Sequence, residues 1–109
     1  MTKKHDDFRY ESNKLFLYLL RDRAKGVCEK RAQGCWWRNL LSPHHIIKRS
    51  KGLACKNEPW NMLVLCANCH PLADHPNSSM RINGFTHEPF TLEQQFALAA
   101  KLNKERGIV

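Results

Sequence analysis

Acidic residues are scarce in this chain: ten Asp and Glu face 18 Lys and Arg, leaving a formal charge of +8 over 109 residues. The shortage favours polyanionic partners, nucleic acid foremost, because phosphates gripped by Lys and Arg release condensed counterions. Charge of this kind also serves plain solubility, so the motifs must carry the choice. Long hydrophobic runs are missing. The most apolar early stretch, residues 15–20, is six residues long, far short of the ~20 that cross a bilayer, so no membrane association is expected. No secretory leader is expected either, since the stretch MTKKHDDFRYESNK is polar and charged, and a cytoplasmic protein with reduced thiols is the expectation. There is no low-complexity tract and no internal repeat. The length suits one domain over residues 1–109 and leaves no room for a second sizeable core.

Against these absences stand five cysteines. An odd number cannot pair completely, and a reducing compartment does not sustain disulfides. Metal binding is their natural use. A helix is expected over residues 7–24, with Asp6 or Asp7 near its start and Arg21, Arg23 and Lys25 near its end, where they suit the helix dipole. Leu15, Phe16, Tyr18, Leu19 and Leu20 give it a broad apolar surface, and Gly26 is a plausible stop. Residues 26–39 read as a loop or knuckle. Residues 40–47 have the character of a short strand, which Pro43 confines to an edge or an irregular position. Residues 48–52 form a basic loop, and residues 62–65 are an apolar run suited to a buried strand. These two strands would pair as a hairpin with a long connection. Pro71 suits the first turn of a helix that Pro76 and Asn77 end quickly. Thr91 and Gln94 have the form of a capping box, opening a helix over residues 91–106 before Gly107. The fold class is therefore a small α+β domain, its knuckle and hairpin core (residues 27–76) flanked by N- and C-terminal helices.

The strongest local signal is Cys66-x-x-Cys69, because two thiolates at this spacing grip one tetrahedral ion from a single tight turn. Cys28 and Cys35, about 35 residues upstream, are placed to supply the other two ligands of a closed, structural zinc site. The six-residue gap between them is wider than a usual knuckle, which keeps Cys55 open as the alternative donor. The plain reading of Cys28 and Cys35 is as small buried hydrophobes. A redox role for Cys66 and Cys69 would need a thioredoxin-like βαβ setting that this chain lacks. A second polar set surrounds the cysteines: His44, His45, Asn61 and His70. Neighbouring residues on a strand face opposite ways, so His44 and His45 are unlikely partners in one job, but suit two different ones.

Over about residues 27–76 the sequence resembles the HNH endonuclease family, through His44-His45-Ile46-Ile47-x-Arg49-Ser50 and Asn61-x-Leu63-Val64-Leu65-Cys66-x-x-Cys69-His70. The resemblance implies a ββα-metal fold, a hairpin and a helix clasping one divalent ion. It implies His44 as a metal ligand, His45 as general base, Asn61 as the residue that fixes the hairpin loop, and His70 as a second ligand on the helix. The family's third ligand usually lies four residues beyond the position of His70, which here is Asp74, with His75 next to it. Residues i and i+4 share a helix face, which favours Asp74, while the prolines at 71 and 76 keep His75 open. The implied reaction is metal-dependent hydrolysis of DNA phosphodiester bonds, in which His45 activates a water opposite the leaving 3′ oxygen. The implied products carry a 5′-phosphate and a 3′-hydroxyl.

That chemistry explains the residue types. A cation must neutralise a phosphate that repels nucleophiles, and a neutral imidazole can take a proton from water near neutral pH. Imidazole ligands suit Zn, Ni and Co, whereas a carboxylate in the set favours Mg or Mn. Lys48, Arg49 and Lys51, with Lys56, Arg31 and Arg38, are placed to meet backbone phosphates. Trp36, Trp37 and Trp60 could stack on bases, but at least two of them are expected to pack as plain core. His5 and His87 read as solvent-facing. Nothing resembles a separate recognition domain, so low intrinsic specificity is expected. A larger protein, such as phage packaging machinery, is the partner that the resemblance implies for directing the cut. The rival reading is a non-catalytic zinc-binding nucleic-acid module of the same fold.

Overall fold

Strand β2 (Met62–Leu65) runs through the centre of the fold with all four residues buried. A strand sends successive side chains to opposite faces, so both faces need cover. Leu63 and Leu65 enter a core with Ile46, Leu72, Ile82, Phe90, Ala99 and the cysteines other than Cys55. Met62 and Val64 enter a second core with Leu19 and Ala24, flanked by Leu15, Phe16 and Leu20. Truncating Leu63 or Leu65 to Ala would cost about 2–5 kcal/mol at such sites.

The structure is a computed structural model that describes the backbone of residues 3–108 and the side chains of residues 7–108. His5 and Asp6 therefore fall outside the described side chains. Helix α1 (Lys3–Asp22) has neither Pro nor Gly to interrupt it. It starts earlier than expected and loses helical geometry at Asp22, two residues short of position 24. There the Ala24 N–H reaches back to the Leu19 carbonyl (2.7 Å) and the Gly26 N–H to the Leu20 carbonyl (2.9 Å). Gly26, with φ of 75°, supplies the left-handed turn that closes the helix. Tyr18 lies on the exposed side of α1 with Leu17, so the apolar face is narrower than the sequence suggested.

Strand β1 (Ser42–His45) pairs antiparallel with β2, Ser42 opposite Leu65 and His45 opposite Met62. The strand is shorter than residues 40–47. Leu40 takes a positive φ of 53° that no strand residue adopts. Beyond His45, the Ile46 N–H bonds the Asn61 carbonyl and the Ile47 N–H bonds the Asn61 side chain. Between the strands lie a 3₁₀ segment, Arg49–Ala54, and a 3₁₀ turn, Pro59–Asn61. Helix α2 (His70–Asp74) follows the second cysteine pair, with Pro71 in its first turn.

A second hairpin, β3 (Met80–Ile82) and β4 (Phe85–His87), was not anticipated. Its Asn83-Gly84 turn has positive φ at both residues (48° and 87°), the hairpin turn that Asn-Gly favours. It packs so tightly on the loop carrying Cys35 that a Cβ at Gly34 would fall 2.4 Å from the Ile82 carbonyl oxygen. Asn83 Nδ2 donates to the Gly34 carbonyl (2.7 Å) and His87 Nε2 donates to the Gln33 carbonyl (2.8 Å). His87 is thus tied to the knuckle instead of merely facing solvent. Helix α3 (Leu92–Arg106) opens on the expected capping box: Thr91 accepts from the Gln94 N–H, and the Gln94 side chain accepts from the Thr91 N–H, each at 3.1 Å. It ends at Gly107 with φ of 67°.

Among the described residues, two small antiparallel sheets and three α-helices make an α+β architecture. Among the described residues no helix is long and apolar enough to cross a membrane.

Candidate metal centres

Cys28, Cys35, Cys66 and Cys69 are all buried, and their sulfurs lie within 4.8 Å of one another. A tetrahedral ion with bonds of ~2.3 Å to sulfur spaces its ligands roughly 3.8 Å apart; Cys35 Sγ and Cys66 Sγ stand at 3.4 Å. Turns at Arg31 and Gly34, both with positive φ, fold the wide gap between Cys28 and Cys35 back on itself. Backbone N–H groups already aim at sulfur, from Trp36 to Cys66 (3.4 Å) and from Trp37 to Cys35 (3.1 Å). Such donors stabilise thiolates.

The thiols of Cys28, Cys35 and Cys69 oppose one another's ionisation. The Cys69 thiol hydrogen-bonds Cys28 and holds it down at about 5, burial pushes Cys35 up to about 12, and the same hydrogen bond to Cys28, with burial, pushes Cys69 up. A charge favoured on Cys28 is thus disfavoured on Cys35 and Cys69. A divalent ion would remove that conflict, so the group fits a metal such as zinc. Cys55 is not part of it. Cys55 lies against Asn61 Nδ2 at 4.0 Å, and burial raises its thiol pKa.

His44, His70 and Asp74 form a second group whose ligand atoms also lie within 4.8 Å of one another. His44 Nδ1 stands 3.4 Å from Asp74 Oδ1, and His70 Nε2 stands 3.7 Å from the same oxygen. Metal bonds of ~2.0–2.2 Å separate neighbouring ligand atoms by roughly 3–3.5 Å, close to these spacings. β1 supplies His44; α2 supplies His70 and Asp74 one turn apart. His75 is left out. It ends α2 at φ −121° and ψ 69°, where Pro76 disfavours helical backbone for the residue before it.

The surroundings decide which atoms are offered. Gln95, fully buried on α3, donates both amide protons, to the Ala73 carbonyl (3.0 Å) and the Phe90 carbonyl (2.9 Å). Its Oε1 must therefore accept, and His44 Nε2 at 2.8 Å must donate to it. The His44 lone pair is left on Nδ1, aimed at Asp74. Burial keeps that imidazole neutral, lowering its pKa to about 4. Burial works to raise the Asp74 pKa, but the Lys48 ammonium at 2.6 Å, with His70 and His44, outweighs burial and holds it low. A bare nitrogen lone pair thus faces a carboxylate oxygen, two acceptors with no proton between them. Ser42 Oγ meets His70 Nδ1 at 3.0 Å, which leaves His70 Nε2 toward Asp74.

His45, on the opposite face of β1, sits against the Phe8 ring (5.6 Å between centroids) with Nε2 2.8 Å from Asn57 Oδ1. Asn61 is fully buried. It accepts from the Ile47 N–H (2.7 Å) and donates to the Lys56 carbonyl (2.9 Å), closing the long connection upon itself. Of the basic residues, Lys48 is engaged by Asp74 and the Arg49 guanidinium stacks 3.8 Å over the Phe8 ring. Lys51, Lys56, Arg31 and Arg38 are exposed. Lys48 and Lys51 border an open cavity of about 350 Å³ with mostly apolar walls, including Ile46, Ile47 and Leu92.

The tryptophans correct an expectation: Trp36, Trp37 and Trp60 are 42%, 52% and 43% exposed, so none of them is plain core. Trp60 packs one side on Phe96, 6.2 Å between centroids. Sequence reasoning missed Gln95, Ser42 and Asn57. Gln95 lies 51 residues from His44, and no local pattern marks it. No family model, curated protein or solved structure is found to match this chain.

Proposed function

We propose that this chain is a metal-dependent endonuclease of the HNH type, hydrolysing DNA phosphodiester bonds on a ββα-metal core. The carrying observation is His44: Gln95 holds its proton on Nε2, so a bare Nδ1 lies 3.4 Å from Asp74 Oδ1 with His70 closing the group. Facing acceptors of this kind suit a cation between them. His44, His70 and Asp74 would hold one divalent ion, and two imidazoles with a carboxylate fit Mg or Mn as well as Ni, Co or Zn. When bound, the ion would supply charge neutralisation at the scissile phosphate.

The chain's own residues do the rest in this reading. His45 takes the proton of the attacking water. Asn61 keeps the connection that carries the loop beside it in one shape. Lys51 and the neighbouring basic residues attract the DNA backbone, in keeping with the net charge of +8. The four-cysteine group acts as a structural zinc site that holds the hairpin to the knuckle.

The test is nicking of supercoiled plasmid across a panel of divalent metals, with and without EDTA. Nicking that needs metal is expected, and His45→Ala should slow it at least ~10²-fold, the scale of lost general-base catalysis, with metal affinity kept. DNA binding with no nicking under any metal would favour the non-catalytic module instead.

A further inference from the structure

We propose that Asn57 is the positioning residue for His45, and that it works by tethering the imidazole to the N-terminal helix. The inference rests on the reading of His45 as base. Asn57 Nδ2 donates to the Phe8 carbonyl at 3.1 Å, and Asn57 Oδ1 lies 2.8 Å from His45 Nε2. Turning the amide over would set its oxygen against the Phe8 carbonyl oxygen, two acceptors in contact, so Oδ1 is the atom that faces His45. An amide oxygen only accepts. His45 Nε2 therefore carries the proton, and the in-plane lone pair of the ring is on Nδ1, the atom left to receive a proton from water.

The same helix residue does two things here. Its carbonyl holds Asn57, while its ring packs on the imidazole at 5.6 Å and takes the Arg49 guanidinium at 3.8 Å. Helix α1 is thereby part of the site, though Phe8 lies 37 residues before His45 in the chain. Two asparagines of one connection divide the work. Asn61 bonds only to backbone and thiol, and so shapes the loop. Asn57 bonds a side chain that acts, and so sets which ring nitrogen is basic and where the ring stands. Positioning of this kind is typically worth about 10- to 100-fold in activity.

The experiment is nitrogen-15 NMR of the imidazoles in the full zinc-loaded chain at about pH 8, read beside plasmid-nicking kinetics. In the wild type, His45 should show its proton on Nε2 and hydrogen-bonded. In Asn57→Ala that hydrogen-bonded resonance should disappear, while the corresponding Nε2–H resonance of His44, held by Gln95, stays. Asn57→Asp, which keeps an acceptor for Nε2–H, should retain the His45 resonance and serves if the alanine variant folds poorly. The nicking kcat should fall about 10-fold in Asn57→Ala with KM for DNA unchanged. A wild-type His45 proton on Nδ1, or an undisturbed Nε2–H in Asn57→Ala, overturns the inference. A wild type that never nicks DNA overturns the nuclease reading instead, and the NMR result still decides the role of Asn57.

Discussion

His44 is buried with its Nε2–H given to Gln95, and that placement has a consequence in pH. Its folded pKa is lowered to about 4, chiefly by burial, whereas an unfolded imidazole titrates near ~6.5. Between those values the unfolded chain binds one proton more, so stability falls as pH drops through the window and is fully present above it. The loss is at most about 3.5 kcal/mol, from ~1.4 kcal/mol per pKa unit. Denaturant unfolding of zinc-loaded protein stripped of other metals should show it as a difference between wild type and His44→Gln. Parallel pH profiles for the two proteins would place the titration elsewhere. The residue next door has an opposite setting, half-buried and held by Asn57. Strand alternation, visible from the sequence, separates the two histidines.

Elements decide which residues reach the two candidate ligand groups. Helix α2 is five residues long, and the rise of one turn carries Asp74 back over His70 while His75 ends the helix. Asp74→Ala should therefore abolish metal binding at this group, as followed by calorimetry with Mn, and His75→Ala should leave it intact. The reverse result would mean that α2 distorts when loaded. The knuckle makes a parallel case. Its turns at Arg31 and Gly34 bring Cys35 back beside Cys28 and the Cys66–Cys69 pair that follows β2, and Cys55 stays with Asn61. Purified protein should carry about one zinc per chain. Cys35→Ser, Cys66→Ser and Cys69→Ser should lose that zinc and unfold, while Cys55→Ser keeps both zinc and melting temperature. Elemental analysis with thermal melts separates these outcomes, and a stable Cys66→Ser protein would end the structural-zinc reading.

At the scale of the whole molecule, a buried ion pair ties the pieces together. Arg23 meets Glu29 through two hydrogen bonds, at 2.7 and 2.8 Å, with both side chains almost wholly buried. The same guanidinium donates to the carbonyls of Pro59 and Met62 and to Asn103 on α3, while Glu29 accepts from the Val64 N–H. Five parts of the chain converge on it: the end of α1, the knuckle, the 3₁₀ turn, β2 and α3. Removing one partner leaves a buried charge uncompensated, so Arg23→Met and Glu29→Gln should each cost about 3–5 kcal/mol. The double variant should recover part of that loss in urea unfolding; additive losses would deny the coupling. From the sequence, Arg23 reads only as a helix-end charge suited to the dipole.

Local features were legible because their causes are local. The α+β class, the buried run at 62–65, the capping box at Thr91 and the paired thiols of Cys66-x-x-Cys69 follow from residue spacing and backbone periodicity, whereas the grouping of His44 with His70 and Asp74 was what the family resemblance implied. Asn83-Gly84 was equally local and was passed over, although its turn chemistry marks the second hairpin. Other choices lay beyond any window of sequence. Cys35 over Cys55, Gln95 behind His44, Phe8 and Asn57 behind His45, and Glu29 as the partner of Arg23 each depend on which distant segments pack together. The tryptophans belong with these, since an aromatic side chain carries no mark of whether its neighbours will cover it. Spacing along a chain determines which groups can share one face or one turn. Only the packed fold decides which proton a buried amide commits, and so which nitrogen of a histidine is left bare.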